Sequence, residues 1–306
     1  MGTALGGVLL SAGVKLRVWN RSPRAVDALA AAGARPCASP AEAAAGSGTV
    51  ITMLADDRAL DAVMTGPDGA LAAMARGALH VSMSTISADA ARRWEALHAA
   101  RALQFVAAPV FGRPRAAADG RLFIVAAGSP PAMERAAGLL ALLGQRTFPV
   151  GARPEQACAV KLAGNFMIMA ATEALGEAMA VAEQAGVPAA TVQEVIAGTI
   201  FDAPVYHAYG AMLVEERFRP AGFSAELGLK DMRLFDELAD SERVSTPLLG
   251  LVRDRLRTVI KRHGADADWA AVGQIPREDA RERCARRGPG SGRRVDDSQR
   301  NAGKQE

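Results

Sequence analysis

Apolar and polar positions alternate in blocks through the first half of the chain. Short β-branched or aromatic runs at Leu16-Trp19, Val50-Leu54, Leu79-Met83, Phe105-Val110, Leu122-Ala127 and Thr147-Val150 are separated by Ala/Leu-rich stretches. Runs of that length between helical patterns predict strands in βα units and a mostly parallel sheet. Helices are predicted at Pro23 to Ala32, Pro40 to Ala45, Asp57 to Met64 and Ala88 to Ala100. The first two follow a Ser-Pro step, since proline's missing N–H costs nothing in a first helical turn. After Val150 the texture is helical throughout, at Pro154 to Gly186, Ala189 to Ala197, Phe223 to Asp240 and Thr246 to His263. From Gly273 on, Gly, Pro, Ser, Arg and Asp dominate with almost no apolar residue, which predicts a solvated, disordered tail. The expected organisation is thus a sheet domain over 1–150, a helical domain over 154–272 and a tail over 273–306.

Composition narrows the function classes. Half of the 306 residues are hydrophobic, enough to bury the cores of about two domains. Cys37, Cys158 and Cys284 are too few and too scattered for a disulfide framework or a metal site, which favours a reducing, cytoplasmic setting. His80, His98, His207 and His263 lack metal-ligand spacing, so no metal is expected, and no GxSxG elbow suggests a hydrolase. The net charge of +3 comes from residues 273–306, with 9 basic and 6 acidic groups; the rest carries 27 of each sign. A neutral body has no electrostatic footprint for nucleic acid. No uncharged apolar run approaches the ~20 residues that cross a bilayer, so no membrane partner is expected.

Residues 1 to 20 read as a small-residue helix, a Gly turn and a strand, which is the second half of a βαβ unit. A dinucleotide fold begins with a strand and a G-x-G-x-x-G turn, of which only the last glycine, Gly2, has a counterpart here. Downstream, the motifs Val18-Trp19-Asn20-Arg21-Ser22, Ser39-Pro40-Ala41-Glu42-Ala43, Val50-Ile51-Thr52-Met53-Leu54, Gly66-Pro67-Asp68-Gly69, Met83-Ser84-Thr85-Ile86-Ser87, Ala108-Pro109-Val110, Lys161-Leu162-Ala163-Gly164-Asn165 and Leu229-Lys230-Asp231 follow one another. In that order and spacing, residues 1 to about 272 resemble the β-hydroxyacid dehydrogenase family, the 3-hydroxyisobutyrate dehydrogenase and glyoxylate reductase relatives. The resemblance implies an α/β fold: a Rossmann-type doubly wound sheet, here lacking its first strand, followed by an all-helical domain like that of 6-phosphogluconate dehydrogenase. It aligns Met1-Gly2 with the close of a GLGxMG turn and places the opening strand upstream of the recorded start. A chain without that strand is expected to have a gap at the centre of its sheet and to hold cofactor poorly.

The same resemblance implies an NAD(P)-dependent oxidoreductase acting on a CH–OH group of a small hydroxy acid or its oxo or semialdehyde form. It places the cofactor on Gly2, Asn20, Arg21, Ser22, Met53, Leu54, Ala55, Ser84, Lys230 and Asp231, and the substrate on Ser84, Thr85, Gly112, Arg113 and Lys230. No carboxylate stands at the end of the second family strand, where NAD enzymes hold the ribose; Asn20, Arg21 and Ser22 favour the 2′-phosphate of NADP, with NAD as the alternative. The chain has five lysines against 31 arginines, and a lysine within a buried helix can lose its proton where arginine cannot. Lys161 and Asn165, four residues apart, share one helix face about 40° apart, and the resemblance makes them the acid/base and the substrate-orienting amide. Lys230 and Asp231 are adjacent on a helix and point in different directions, so no salt bridge between them is expected. At Ala107-Ala108-Pro109-Val110-Phe111-Gly112-Arg113-Pro114 the chain departs from the family's Asp-Ala-Pro-Val-Ser-Gly-Gly, losing a hydroxyl and gaining a ring and a guanidinium. Arg113 could hold a carboxylate in the hydroxyl's place, or the substrate could lack the usual short shape. An imine reductase, or a non-catalytic NADP-binding protein, are the alternative functions. The helical half exposes enough apolar surface to predict a homo-oligomer, a dimer or tetramer.

Overall fold

Up to Gly151, helices and strands alternate in a computed structural model that describes residues 1–287. The order is α1 (Gly2–Ser11), β1 (Arg17–Val18), α2 (Pro23–Ala31), β2 (Arg35–Pro36), α3 (Pro40–Ala44), β3 (Thr49–Thr52), α4 (Asp57–Thr65), α5 (Ala70–Ala73), β4 (Leu79–Ser82) and α6 (Ala88–Ala99). There follow β5 (Gln104–Ala107), β6 (Val110–Phe111), α7 (Pro114–Ala118), β7 (Leu122–Gly128), α8 (Pro130–Leu143) and β8 (Gly144–Gly151). The helix starts are locally encoded: the side chains of Ser39, Asp56 and Ser87 accept from the backbone N–H of Glu42, Ala59 and Ala90, satisfying amides that a helix's first turn leaves open.

The strands form two hydrogen-bonded sheets. β1 pairs with β2, and β3-β4-β5-β7-β6 form a second sheet in which β8 also pairs with β7. Among the described residues no ladder joins the β1–β2 pair to β3. The strand pairings are mostly parallel, as expected: β1 with β2, β3 with β4, β4 with β5 and β7 with β8 run parallel, whereas β7 is antiparallel to β5 and β6. The expected strand Phe105-Val110 is cut at Ala108-Pro109, because proline has no N–H for a ladder; the Pro109 carbonyl accepts from Val125 N instead. Alternation along β4, β5 and β7 then fills two cores. Leu79, Val81, Val106, Ile124 and Ala126 face Leu5, Leu9, Leu140 and Leu143, whereas Phe105, Ala107, Val125 and Ala127 face Leu60, Met64 and Trp94.

Beyond Gly151 the described residues are helical: α9 (Pro154–Gln184), α10 (Ala189–Ala197), α11 (Pro204–Val214), α12 (Ala225–Ser241), α13 (Pro247–His263), a 3₁₀ turn (Trp269–Gln274) and α14 (Ile275–Arg287). The chain divides into two compact units, Met1–Ala171 with Phe218–Val272, and Thr172–Arg217 with the residues from Gly273 on. The first half of α9, together with α12 and α13, is thus grouped with the sheet. α9 has the length and composition of a bilayer-crossing helix, yet it carries Lys161 and Glu173, both buried against the chain itself.

The predicted tail is corrected in its first part. Residues 275–287 form α14, with Ile275 and Arg277 buried. Within the second unit the Arg277 guanidinium is held by both Glu183 oxygens at 2.8 Å, by Gln274 at 2.9 Å and by the Leu213 carbonyl at 2.5 Å. A charge-rich stretch reads as solvated in sequence, but one fully paired arginine can be buried. Residues 288–306 of the predicted tail lie outside the described residues.

Candidate active site

Lys161 and Asn165, expected on one face of a helix, are both buried on α9, 8% and 2% exposed. Lys161 Nζ donates to Asn165 Oδ1 at 2.8 Å, and Asn165 Nδ2 donates to Asp231 Oδ2 on α12 at 2.5 Å. A carboxylate only accepts, so Asp231 fixes which end of the amide is nitrogen and therefore that its oxygen faces Lys161. Asp231 is fully buried, and its Oδ1 lies 2.7 Å from Lys230 Nζ. The absence of a salt bridge expected for this adjacent pair is thus corrected: the flexible lysine stem brings its ammonium back to the neighbouring carboxylate. The same Nζ donates to the Thr85 carbonyl at 2.7 Å, fastening α12 to the loop after β4.

Burial is the main reason that the Lys161 ammonium is brought down from 10.5 to about 8; Asp231 opposes the shift and Lys230 adds to it. A lysine at that value exists in both forms near neutral pH, as proton exchange requires. Cys158, a turn earlier on α9, is pushed up to about 12 by burial, so its thiol stays protonated and is no nucleophile.

The ring of Phe111 covers Lys161, with Nζ 4.1 Å from the ring centroid. Gly164 makes this possible, because a Cβ there would lie 2.3 Å from Phe111 Cζ. Gly112 has φ +138°, and a Cβ would stand 2.6 Å from Leu122 Cδ2, so the residue after Phe111 is constrained to glycine as well. Arg113 forms an ion pair with Asp268, a fully buried carboxylate that also accepts from the backbone N–H of Gly222 at 2.8 Å and of Ala270 at 3.1 Å. Sequence reasoning missed both the Phe111–Lys161 contact and Asp268; a glycine on the Lys161 face, together with a new ring at Phe111, was the available signal for the first, and nothing marked the second.

Most of the residues assigned to cofactor follow the carboxyl ends of strands: Asn20, Arg21 and Ser22 after β1, Met53, Leu54 and Ala55 after β3, and Ser84 after β4. A Cβ on Gly2, at the start of α1, would touch Met53 Cβ at 4.0 Å, so this helix terminus abuts the end of β3. Leu54 N donates to Ser84 Oγ at 2.8 Å, joining the ends of β3 and β4, and Ala55 follows before α4. After β1, Asn20 Nδ2 donates to Ser22 O at 3.0 Å and Ser22 Oγ at 2.9 Å, while Arg21 is exposed. An α1 N-terminus without a side-chain cap, set beside the carboxyl ends of parallel strands, suits a dinucleotide pyrophosphate. The residues present therefore fit a nicotinamide dinucleotide.

A family model described as the NAD binding domain of 6-phosphogluconate dehydrogenase matches residues 1–151, and one described as NAD-binding of NADP-dependent 3-hydroxyisobutyrate dehydrogenase matches residues 156–275. The chain belongs to the β-hydroxyacid dehydrogenase family. This family member is 40% identical to an uncharacterised oxidoreductase of Bacillus subtilis, YfjR, over 89% of this chain and 95% of that protein. It is 31% identical to an NAD-dependent L-serine dehydrogenase of Pseudomonas aeruginosa, over 90% and 94% of the two chains. A solved 3-hydroxyisobutyrate dehydrogenase of Mycobacterium tuberculosis with L-serine is 28% identical, with a TM-score of 0.81 over 90% of this chain and 96% of that one. As a β-hydroxyacid dehydrogenase family protein, the chain is an NAD(P)-dependent oxidoreductase.

Proposed function

We propose that this enzyme carries out reversible, NADP-linked hydride transfer at the carbinol carbon of a small hydroxy acid, or at the carbonyl of its oxo or semialdehyde form. The observation that carries the reading is the buried Lys161–Asn165–Asp231 chain, with the lysine brought to about 8. The nicotinamide, when bound, supplies hydride in reduction and takes it up in oxidation. In reduction the Lys161 ammonium gives a proton to the substrate oxygen; in oxidation its neutral amine accepts the hydroxyl proton. Asn165 Oδ1 holds Nζ in place, and the second Nδ2 hydrogen is the one that can reach the substrate oxygen. Lys230 and Asp231 support the two residues from α12, and Ser84, Thr85, Gly112 and Arg113 are the substrate-side candidates. Exposed Ile200, Val181 and Met167 support assembly with further copies, and the reducing-compartment composition supports a cytoplasmic enzyme.

The test is steady-state turnover on a panel of small hydroxy and oxo acids. Lys161→Ala should lower turnover by 10² to 10⁴ with cofactor affinity within a few fold. Lys161→Arg should be nearly as damaging, since arginine keeps the charge but releases no proton. A Lys161→Arg enzyme close to the parent rate would make the lysine a positioning charge and refute the assignment.

A further inference from the structure

Among the described residues three cations stand in or beside this site, and two are paired with carboxylates. Lys230 is held by Asp231 and the Thr85 carbonyl, and Arg113 by buried Asp268. The third, Lys161, has among the described residues one hydrogen-bond acceptor, Asn165 Oδ1, and one covered side, the face of Phe111. A substrate oxygen can therefore meet Nζ only on its remaining side, with the Phe111 ring as an apolar wall beside the atom it meets. That ring is fixed. β6 is laddered to β7 with Phe111 opposite Phe123, Gly164 leaves no room for it to back away along α9, and Gly112 sets the backbone immediately after it. A carboxylate attached directly to the reacting carbon would be stripped of water against an aromatic surface, with the nearby guanidinium and ammonium already neutralised. An alkyl or aryl group in the same place would be buried favourably.

We propose that Phe111 is the specificity-determining residue of the enzyme, selecting aldehydes or ketones, and the corresponding alcohols, whose reacting carbon bears an apolar substituent and no directly attached carboxylate. This inference rests on the hydride-transfer reading above and narrows its substrate: any carboxylate is separated from the reacting carbon.

The experiment compares kcat/KM for propanal and glyoxylate, two aldehydes of similar size that differ in an ethyl group against a carboxylate. Succinic semialdehyde, whose carboxylate is remote from the carbonyl, serves as the control for hydride transfer itself. The parent enzyme should favour propanal over glyoxylate at least tenfold, Phe111→Ser should lower that ratio at least tenfold, and Phe111→Leu should keep it. Phe111→Thr, whose β-branch suits a strand, supplies the same readout if the serine variant does not fold. A parent that reduces succinic semialdehyde yet prefers glyoxylate, or a ratio that Ser and Thr leave unchanged, overturns the assignment of Phe111 while hydride transfer stands. A parent inert toward all three aldehydes overturns the hydride-transfer reading, and this inference with it.

Discussion

Asn165 and Asp231, 66 residues apart on α9 and α12, meet through a 2.5 Å hydrogen bond that decides how the amide faces Lys161. The carboxylate is fully buried, so its charge is felt by both lysines beside it. Asp231→Asn can flip its own amide and no longer dictates that of Asn165. Turnover should fall about 10- to 100-fold, the scale of a lost positioning contact. Asp231 holds the Lys161 pKa up, so removing its charge should move the pH midpoint of turnover below that of the parent. A pH–rate profile of the variant checks this; a mere folding defect would lower the amplitude without moving the midpoint.

In the parent, the two reaction directions should show opposite pH dependence around pH 8. Oxidation needs the neutral amine, so its rate should rise as pH increases through about 8; reduction needs the ammonium and should fall over the same range. Rates measured between pH 6 and 10 in both directions provide the check, and parallel profiles would count against Lys161 as the exchanging group.

Cofactor choice should follow Arg21. NADPH is expected to bind more tightly than NADH, and Arg21→Ala to remove most of the difference, a charge-assisted phosphate contact being worth about 1.5–3 kcal/mol. Fluorescence titration with both dinucleotides measures it, and equal affinities in the parent would refute it.

A second buried chain runs through the sheet core. His98 Nδ1 lies 2.7 Å from the Trp94 carbonyl, His98 Nε2 lies 3.1 Å from His80 Nδ1, and His80 Nε2 lies 2.9 Å from Thr52 Oγ1. With a carbonyl at one end, each ring is satisfied as a neutral imidazole protonated at Nδ1, and the Thr52 hydroxyl donates to His80. Burial brings His98 down to about 4 and His80 well below its usual range. Both bind fewer protons folded than unfolded, so stability is complete above pH 6.5 and lost as pH falls toward 4, by about 1.4 kcal/mol per unit for each ring. Thermal unfolding between pH 7.5 and 4.5 should show that slope, and His98→Gln should roughly halve it.

Much of the fold was legible because the local signals were consistent. Ser39-Pro40 marks a helix start that the structure shows at α3, and the runs at Val50, Leu79 and Leu122 became β3, β4 and β7. The Lys161-x-x-x-Asn165 spacing placed both groups on one face because a helix repeats every 3.6 residues, whatever packs against it. The tail before Arg287 was misread, because burial of Arg277 depends on Glu183, 94 residues away.

What the sequence determined by itself was therefore what short-range geometry sets: the alternation of strands and helices, the caps, and the pairing of Lys161 with Asn165. Only the tertiary structure decided which groups from distant segments share space. It turned β7 against β5, set Asp231 behind Asn165, committed Arg113 to Asp268, and laid Phe111 over Lys161 across 50 residues of chain. The reason is physical. Periodicity fixes a side chain's direction on its own element, but desolvation, and with it the pKa of Lys161 and the room left for a substrate, depends on everything packed around it.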